Sequence, residues 1–365
     1  MTVVAPDGSS AIIMDDALTL RRILIPSGAI AGTLASNVNV APLQPGALDR
    51  LRRMIGANPE TRAWPTETLE WERVEATSDD ATRAIVKTSD PFGRKLVVDF
   101  SQGAASPLPG YKYLRKISLS PRGNFVLVNE ELDGLAVLEA RTGSRLWSII
   151  GKGCKTAVSP DDRLIAISWG NTEKAGTLFF HDMQTGKPVG SVPVEAESVT
   201  PLGFSSSTDR LMVRAKSASG QAAQPTYSTL LIDIATEAVI AKHTGLFVHE
   251  VSSAQVDQGL LLECVEIPRV LRVINMLRRT TLDLIPTYPG SWHSAHVGPA
   301  GQVVFTVEIE QRRHSRRHTE VASATNANGR FDLETGVSTD CIVSNRSPSP
   351  ATPTGRRGRN PTMAT

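Results

Sequence analysis

The feature that most constrains the fold is a strand-ending signature that recurs along the chain. An aliphatic or aromatic run closes on an acidic residue, and a turn residue, usually glycine, follows four positions later. It reads Leu96-Val97-Val98-Asp99 before Gly103, Ala136-Val137-Leu138-Glu139 before Gly143, and Leu178-Phe179-Phe180-His181-Asp182 before Gly186. It continues as Leu230-Leu231-Ile232-Asp233 before Glu237 and as Phe331-Asp332 before Gly336. Residues 99, 139, 182 and 233 are 40, 43 and 51 positions apart, and the 99 positions from 233 to 332 approach two further units. A carboxylate at that place can accept hydrogen bonds from the N–H groups of the turn it introduces. Asp99, Glu139, Asp182, Asp233 and Asp332 are therefore expected to fasten turns rather than to catalyse.

A second landmark keeps the same period. Proline-, aspartate- or glycine-containing turns introduce apolar strands at Pro6-Asp7-Gly8, Ser78-Asp79-Asp80, Ser120-Pro121-Arg122-Gly123, Ser159-Pro160-Asp161-Asp162, Ser207-Thr208-Asp209, Asp257-Gln258-Gly259 and Gly298-Pro299-Ala300-Gly301. One unit is clearest in residues 114–150. Strands are expected at Lys116 to Ser120, Phe125 to Val128, Leu135 to Glu139 and Arg145 to Ile150, with turns at Pro121 to Asn124 and Arg141-Thr142-Gly143. Proline presets φ at one turn and glycine supplies a positive φ at the other. Four such strands form one antiparallel sheet, which cannot bury both faces alone; radial stacking of like sheets does so. Repeats of roughly 40 to 50 residues predict an all-β propeller over residues 1–343 with seven four-stranded blades. The irregular first and last units are also compatible with six blades or an open ring.

Two further segments interrupt the repeat. Leu48, Leu51 and Ile55 fall on one face at helical spacing before Gly56, which predicts a short helical insertion over about residues 45–65. The polar run 311–328 is expected to be a long inter-strand loop. In the sixth unit Asp283 fits the acid spacing but lies only 16 residues before Pro299, against 21 to 25 in other units, which leaves a place on the fourth strand open.

These residues resemble the WD40-type β-propellers over roughly residues 70–343 and part of 1–30, and also the related surface-layer (YVTN-like) and quinoprotein-like repeats. Leu178 to Gly186 sits where the WD40 family has its Trp-Asp pair and following turn. No unit keeps that dipeptide or the family's Gly-His pair. The resemblance implies that loops between second and third strands, and loops joining blades, emerge on one face beside the axial opening. Mapped here, that face carries Lys152 and Lys155, Trp169 and Asn171, Tyr288 and Trp292, and Arg312, Arg313, Arg316 and Arg317. Aromatic anchors and arginines are the composition of an interaction hot spot. The expected partner is a protein surface or acidic peptide, bound by a monomer within a larger complex.

Length and charge agree with this reading. Seven blades account for most of 365 residues, and 39 basic against 37 acidic residues argue against binding nucleic acid or membrane over the whole surface. Cys154, Cys264 and Cys341 are distant and lack metal-ligand spacing, as expected of reduced thiols inside the cell, cytoplasmic or nuclear. The N-terminus shows no basic region followed by an apolar run, and no stretch is long and apolar enough to span a bilayer. Residues 344–365 combine Ser-Pro and Thr-Pro pairs with Arg356-Arg357-Gly358-Arg359, a composition expected to stay disordered. Together with the arginine loop, this tail is the one feature through which nucleic acid could bind.

No catalytic signature emerges. Gly151-Lys152-Gly153-Cys154-Lys155-Thr156 lacks the Gly-Lys-Ser/Thr ending of a phosphate-binding loop, and a strand rather than a helix follows. His293 and His296 point to opposite faces of a strand and have no carboxylate or cysteine close in sequence to complete a metal shell, and for His314 and His318 too a structural or surface role is the expectation. A Gly-x-Ser-x-Gly elbow is absent. The expectation is a non-enzymatic interaction scaffold without cofactor. The alternative is an enzymatic propeller, lactonase-like or quinoprotein-like, with a metal or cofactor in the axial channel.

Overall fold

The computed structural model describes residues 2–5, 9–15, 19–25, 27–35, 71–89, 95–108, 116–130, 134–151, 153–170, 176–217, 226–246, 248, 251–265, 270–287, 291–297, 302–314, 319–333, 335, 338–339 and 341–346. The expected helical insertion at 45–65 and the tail from Ser347 lie outside these residues. The chain divides into two compact units, Met1–Gly259 with Val297–Gln302, and Leu260–His296 with Val303–Thr365.

The first unit holds five antiparallel sheets, each a four-stranded meander in chain order, which is the topology of a propeller blade. The first sheet joins β1 (Thr2–Val4), β2 (Ser10–Met14), β3 (Leu20–Leu24) and β4 (Ile30–Leu34). The second joins β5 (Trp71–Thr77), β6 (Arg83–Thr88), β7 (Lys95–Asp99) and β8 (Ala104–Pro107). The third joins β9 (Lys116–Leu119), β10 (Phe125–Glu130), β11 (Gly134–Glu139) and β12 (Arg145–Ile149). The fourth joins β13 (Lys155–Val158), β14 (Leu164–Ser168), β15 (Thr177–Asp182) and β16 (Pro188–Pro193), and the fifth β17 (Ser198–Phe204), β18 (Arg210–Lys216), β19 (Tyr227–Asp233) and β20 (Ala238–Thr244).

The core follows from the period-two alternation of these strands. Val126, Val128, Ala136 and Leu138 of the third sheet pack with Ile85 and Val97 of the second, while their neighbours Phe125, Leu127, Leu135 and Val137 pack with Ile165 and Ile167 of the fourth. The fourth sheet turns Ala166, Leu178 and Phe180 the other way, onto Phe204, Leu211 and Ile232 of the fifth. Ala84, Val86, Leu96 and Val98 likewise meet Ile12 and Leu20 of the first sheet. Each middle sheet thus buries both faces, and each large aliphatic side chain so enclosed contributes about 1.5–3 kcal/mol.

The strand-ending acids take up local donors. Oδ1 of Asp99 accepts from the Ser101 and Gln102 amides at 2.9 and 3.1 Å, Asp182 from Thr185 N at 2.7 Å, Asp233 from Thr236 N at 2.9 Å and Asp332 from Thr335 N at 2.8 Å. Glu139, one methylene longer, takes the Thr142 hydroxyl at 2.5 Å instead. The residue four positions on adopts positive φ, as Gly103, Gly143, Gly186 and Glu237 do at 60°, 68°, 70° and 55°. Gly336 lies outside the described residues.

At the turns between first and second strands, Ser78, Ser120, Ser159 and Ser205 are wholly buried. Each hydroxyl accepts a backbone amide from the start of the second strand. From the same end of the sheets, bonds run to the corresponding segment of the next unit along the chain. Ser10 Oγ donates to the Asp80 carbonyl at 2.6 Å, Ser120 Oγ to Asp162 Oδ2 at 2.8 Å, and Ser206 Oγ to Asp257 Oδ2 at 2.6 Å. Arg83 reaches Asp99, the Gly123 carbonyl and Asn124 Oδ1. These polar latches sit at the ends of the apolar cores.

A helix absent from the sequence reading, α1 (Ser253–Gln258), replaces the expected turn at Asp257-Gln258-Gly259. Ser252 and Gln255 form a reciprocal capping box, and Gly259 closes the helix at φ 62°.

The second unit contains the sixth sheet, in the order β21 (Leu260–Val265), β22 (Val270–Asn275), β23 (Thr280–Pro286) and β28 (Cys341–Arg346). It also contains most of the seventh, β24 (Ser291–Val297), β25 (Gln302–His314), β26 (Thr319–Asp332) and β27 (Ser338–Thr339). Three expectations are corrected here. The turn acceptor of the sixth unit is Asn275, not Asp283: its Oδ1 takes Arg278 N at 2.8 Å, and Arg279, four positions on, has φ 54°. Asp283 lies in the strand after that turn, the place fourth strands hold elsewhere. There it pairs with Arg272, which also binds Glu263, the three being in register across β21, β22 and β23. Residues 311–314 and 319–328 are strand rather than loop, because Thr306-Val307-Glu308-Ile309-Glu310 and Thr319-Glu320-Val321 continue a period-two alternation that a polarity argument overlooks. Finally, Ser344, Asn345 and Arg346 belong to β28 and not to a tail beginning at Ser344.

Candidate functional site

The buried serines fix which positions correspond between sheets. Lys116 and Lys155 each lie four residues before their serine, Ser120 and Ser159, and open β9 and β13. Opposite them on the second strands stand Asn129 and Ser168. The same level in the fifth sheet is Thr200 opposite Arg214, reached through a bulge between Pro201 and Gly203, and in the second sheet Arg73 opposite Lys87. Five cations therefore share one level of four successive sheets.

Their electrostatic situations differ. Arg73 pairs with Glu75 at 3.1 Å and Lys87 with Glu72 at 2.6 Å. Lys95 also binds Glu75, and although burial pushes that carboxyl up, the bonds from Lys95 and Arg73 hold it below its ordinary range. Arg214 donates to the Val248 carbonyl at 2.7 Å, and burial lowers its pKa. Lys116 and Lys155 are exposed and have no ion pair among the described residues. Both line a cleft of about 400 Å³ bounded by β9, β13 and β17. Ser118, Thr156 and Thr200 add half-buried hydroxyls to its wall, and Asp79 and Pro121 stand at the end near the serine turns.

One thiol also faces this cleft. Cys154 is 1% exposed, and burial pushes its pKa up to about 12, so it remains a thiol at neutral pH and a poor nucleophile. Its carbonyl accepts from Asn129 Nδ2 at 2.8 Å, which ties β10 to the entry of β13. Cys264 is exposed. Among the described residues no three His, Cys, Asp or Glu side chains converge as a metal site, and no helix is long and apolar enough to cross a membrane.

The positions expected on one loop face are distributed differently. Lys155 is the first residue of β13, Trp292 lies within β24, and Arg312 and Arg313 lie within β25, so these four are strand residues rather than loop residues. Trp169 follows β14, yet its indole lies over Gly151, where an added Cβ would meet ring carbon Cζ3 at 2.4 Å, and it packs on the core cluster shared by the third and fourth sheets. Its half-buried ring is thus part of the fold as well as of the surface. Lys152, Asn171, Tyr288, Arg316 and Arg317 lie outside the described residues. The expected set missed Lys116, which could have been found by counting four residues back from the serine turn, as for Lys155.

No protein-family model matches the chain, and no curated protein matches it. Among solved structures it is similar to one titled as the crystal structure of the eukaryotic initiation factor, with a TM-score of 0.47 and 9% identity, covering 92% of this chain and 85% of that one. Nothing about function follows from a likeness of that size.

Proposed function

We propose that this chain is a non-enzymatic interaction scaffold of the propeller type, WD40-like, whose seven sheets serve as blades and whose partner is an acidic peptide or acidic protein surface. The observation that carries this reading is the pair Lys116 and Lys155. They hold corresponding positions on neighbouring first strands, open onto one cleft, and have no carboxylate partner among the described residues. Two ammonium groups without an ion pair among the described residues, beside half-buried wall hydroxyls, suit carboxylates presented by an extended segment, since charge complementarity steers association and fixes register. Trp169, and Arg312, Arg313, Arg316 and Arg317 of the expected face, remain candidate contributors.

Crosslinking of the tagged protein in cells, followed by mass spectrometry, tests the reading with Lys116→Glu/Lys155→Glu and, separately, with the four arginines neutralised. Reversing two rim charges is expected to weaken capture of acidic partners at least tenfold and to flatten its salt dependence. Unchanged capture by both variants would overturn the assignment. Stoichiometric calcium or zinc in the purified protein would favour the enzymatic alternative instead.

A further inference from the structure

The sixth sheet is completed from outside its own stretch of sequence. β21, β22 and β23 follow one another within residues 260–286, but the strand beside β23 is β28, and the four strands of the seventh sheet lie between them in the chain. β28 pairs antiparallel with β23 over six residues, from Thr281 opposite Arg346 to Pro286 opposite Cys341. It closes the sheet at its edge, and Pro286 has no N–H to give to the ladder.

The seventh sheet shows where this segment would otherwise go. Its fourth strand, β27, has only two residues, whereas β12, β16 and β20 have five, six and seven. β27 pairs Thr339 with Arg330 and Ser338 with Phe331, so extending that register would set Cys341 opposite Asn328 and Arg346 opposite Ser323 on β26. The backbone of Cys341–Arg346 thus has two antiparallel tracks in reach of its register, β23 in the sixth sheet and the continuation of β27 in the seventh.

We infer that β28 is an exchangeable edge strand, and that the edge of β23 along Thr281–Pro286 is a binding site for an extended peptide strand, which β28 occupies in the resting molecule. Main-chain hydrogen bonds supply the affinity of such strand addition, and a six-residue edge ladder can open without unfolding the sheet behind it. The ligand class is an extended segment adding antiparallel to β23. This inference is independent of the lysine cleft.

Hydrogen exchange on the unaltered full chain is the first test. Amides of Cys341–Arg346 are expected to exchange at least tenfold faster than those of Val270–Asn275 in the middle of the sheet; equal protection would overturn the inference. The second test uses Ile342→Pro/Val343→Pro in the full chain, because successive strand amides point to opposite edges and one of the two must face β23. A labelled peptide with the sequence of Cys341–Arg346, serine replacing its cysteine, should bind this variant at least tenfold more tightly than the unaltered chain, while β21 and β22 stay protected. No binding with β21 and β22 intact would overturn the proposal, as would loss of protection throughout the sheet, which would make β28 an integral strand.

Discussion

Single side chains close the turns of this protein, and their chemistry sets its response to acid. The hydroxyl and then the amide of Thr185 hold the Asp182 carboxyl below its ordinary range. Ser207 and Ser205 do the same for Asp209, and the amide and hydroxyl of Thr236 for Asp233. The folded pKa values lie below the unfolded value of about 3.9, so this stabilisation is complete above that pH and is lost as pH falls through the lower folded values. Stability should therefore fall below about pH 4. Asp182→Ala, which removes the acceptor, is expected to cost about 1 kcal/mol at pH 7 and to make the acid limb shallower, as thermal melts at several pH values would read. An acid limb of unchanged slope would remove Asp182 from this role. This part of the fold was legible, because an Asx turn is made by residues three or four apart. Asn275 falls outside a signature written in acids, although its amide oxygen accepts the same bond.

At the scale of elements, the outer strand of one sheet reaches the turn of the next. Trp147 of β12 donates Nε1 to the Met183 carbonyl at 2.8 Å, stacks on His181, and covers Gly186, where an added Cβ would lie 2.6 Å from the indole Cγ. Gly103 adopts a similar φ in the second sheet with nothing within 4 Å. Both Gly→Ala changes incur about 1–2 kcal/mol for a left-handed backbone, but only Gly186→Ala also displaces a ring. Gly186→Ala should be the more destabilising and should shift tryptophan emission, while Gly103→Ala leaves emission unchanged; equal effects would show that Trp147 does not rest on this turn. Sequence alone gave the turn but not its cover, since Trp147 and Gly186 are 39 positions apart. The same limit hid β28. Its own residues form a strand in either place, and only long-range pairing decides which sheet receives them. The helix α1 was too short for periodicity, although Ser252, Gln255 and Gly259 carry its caps in plain view.

Across the molecule, the five sheets of the first unit form a series in which each core is shared by two successive members. Ile165→Ala, in the cluster shared by the third and fourth sheets, is expected to cost 2–5 kcal/mol, on the order seen for such truncations, and to speed hydrogen exchange in those two sheets before the first. Uniform acceleration across all five sheets would mean that they open as one body. The spacing of the acids and of the Pro-, Asp- or Gly-containing turns made this series readable in advance, because the second to fifth sheets repeat the same local solution. What spacing did not reveal is which groups join one sheet to the next. Ser10 at the start of β2 donates to the Asp80 carbonyl, Arg83 to the Gly123 carbonyl and Ser120 to Asp162, so the second and third sheets each accept from the sheet before and donate to the sheet after. A segment bearing a donor for its successor and an acceptor for its predecessor is self-matching. Duplicated in tandem, such a segment would meet its own copy with groups already complementary.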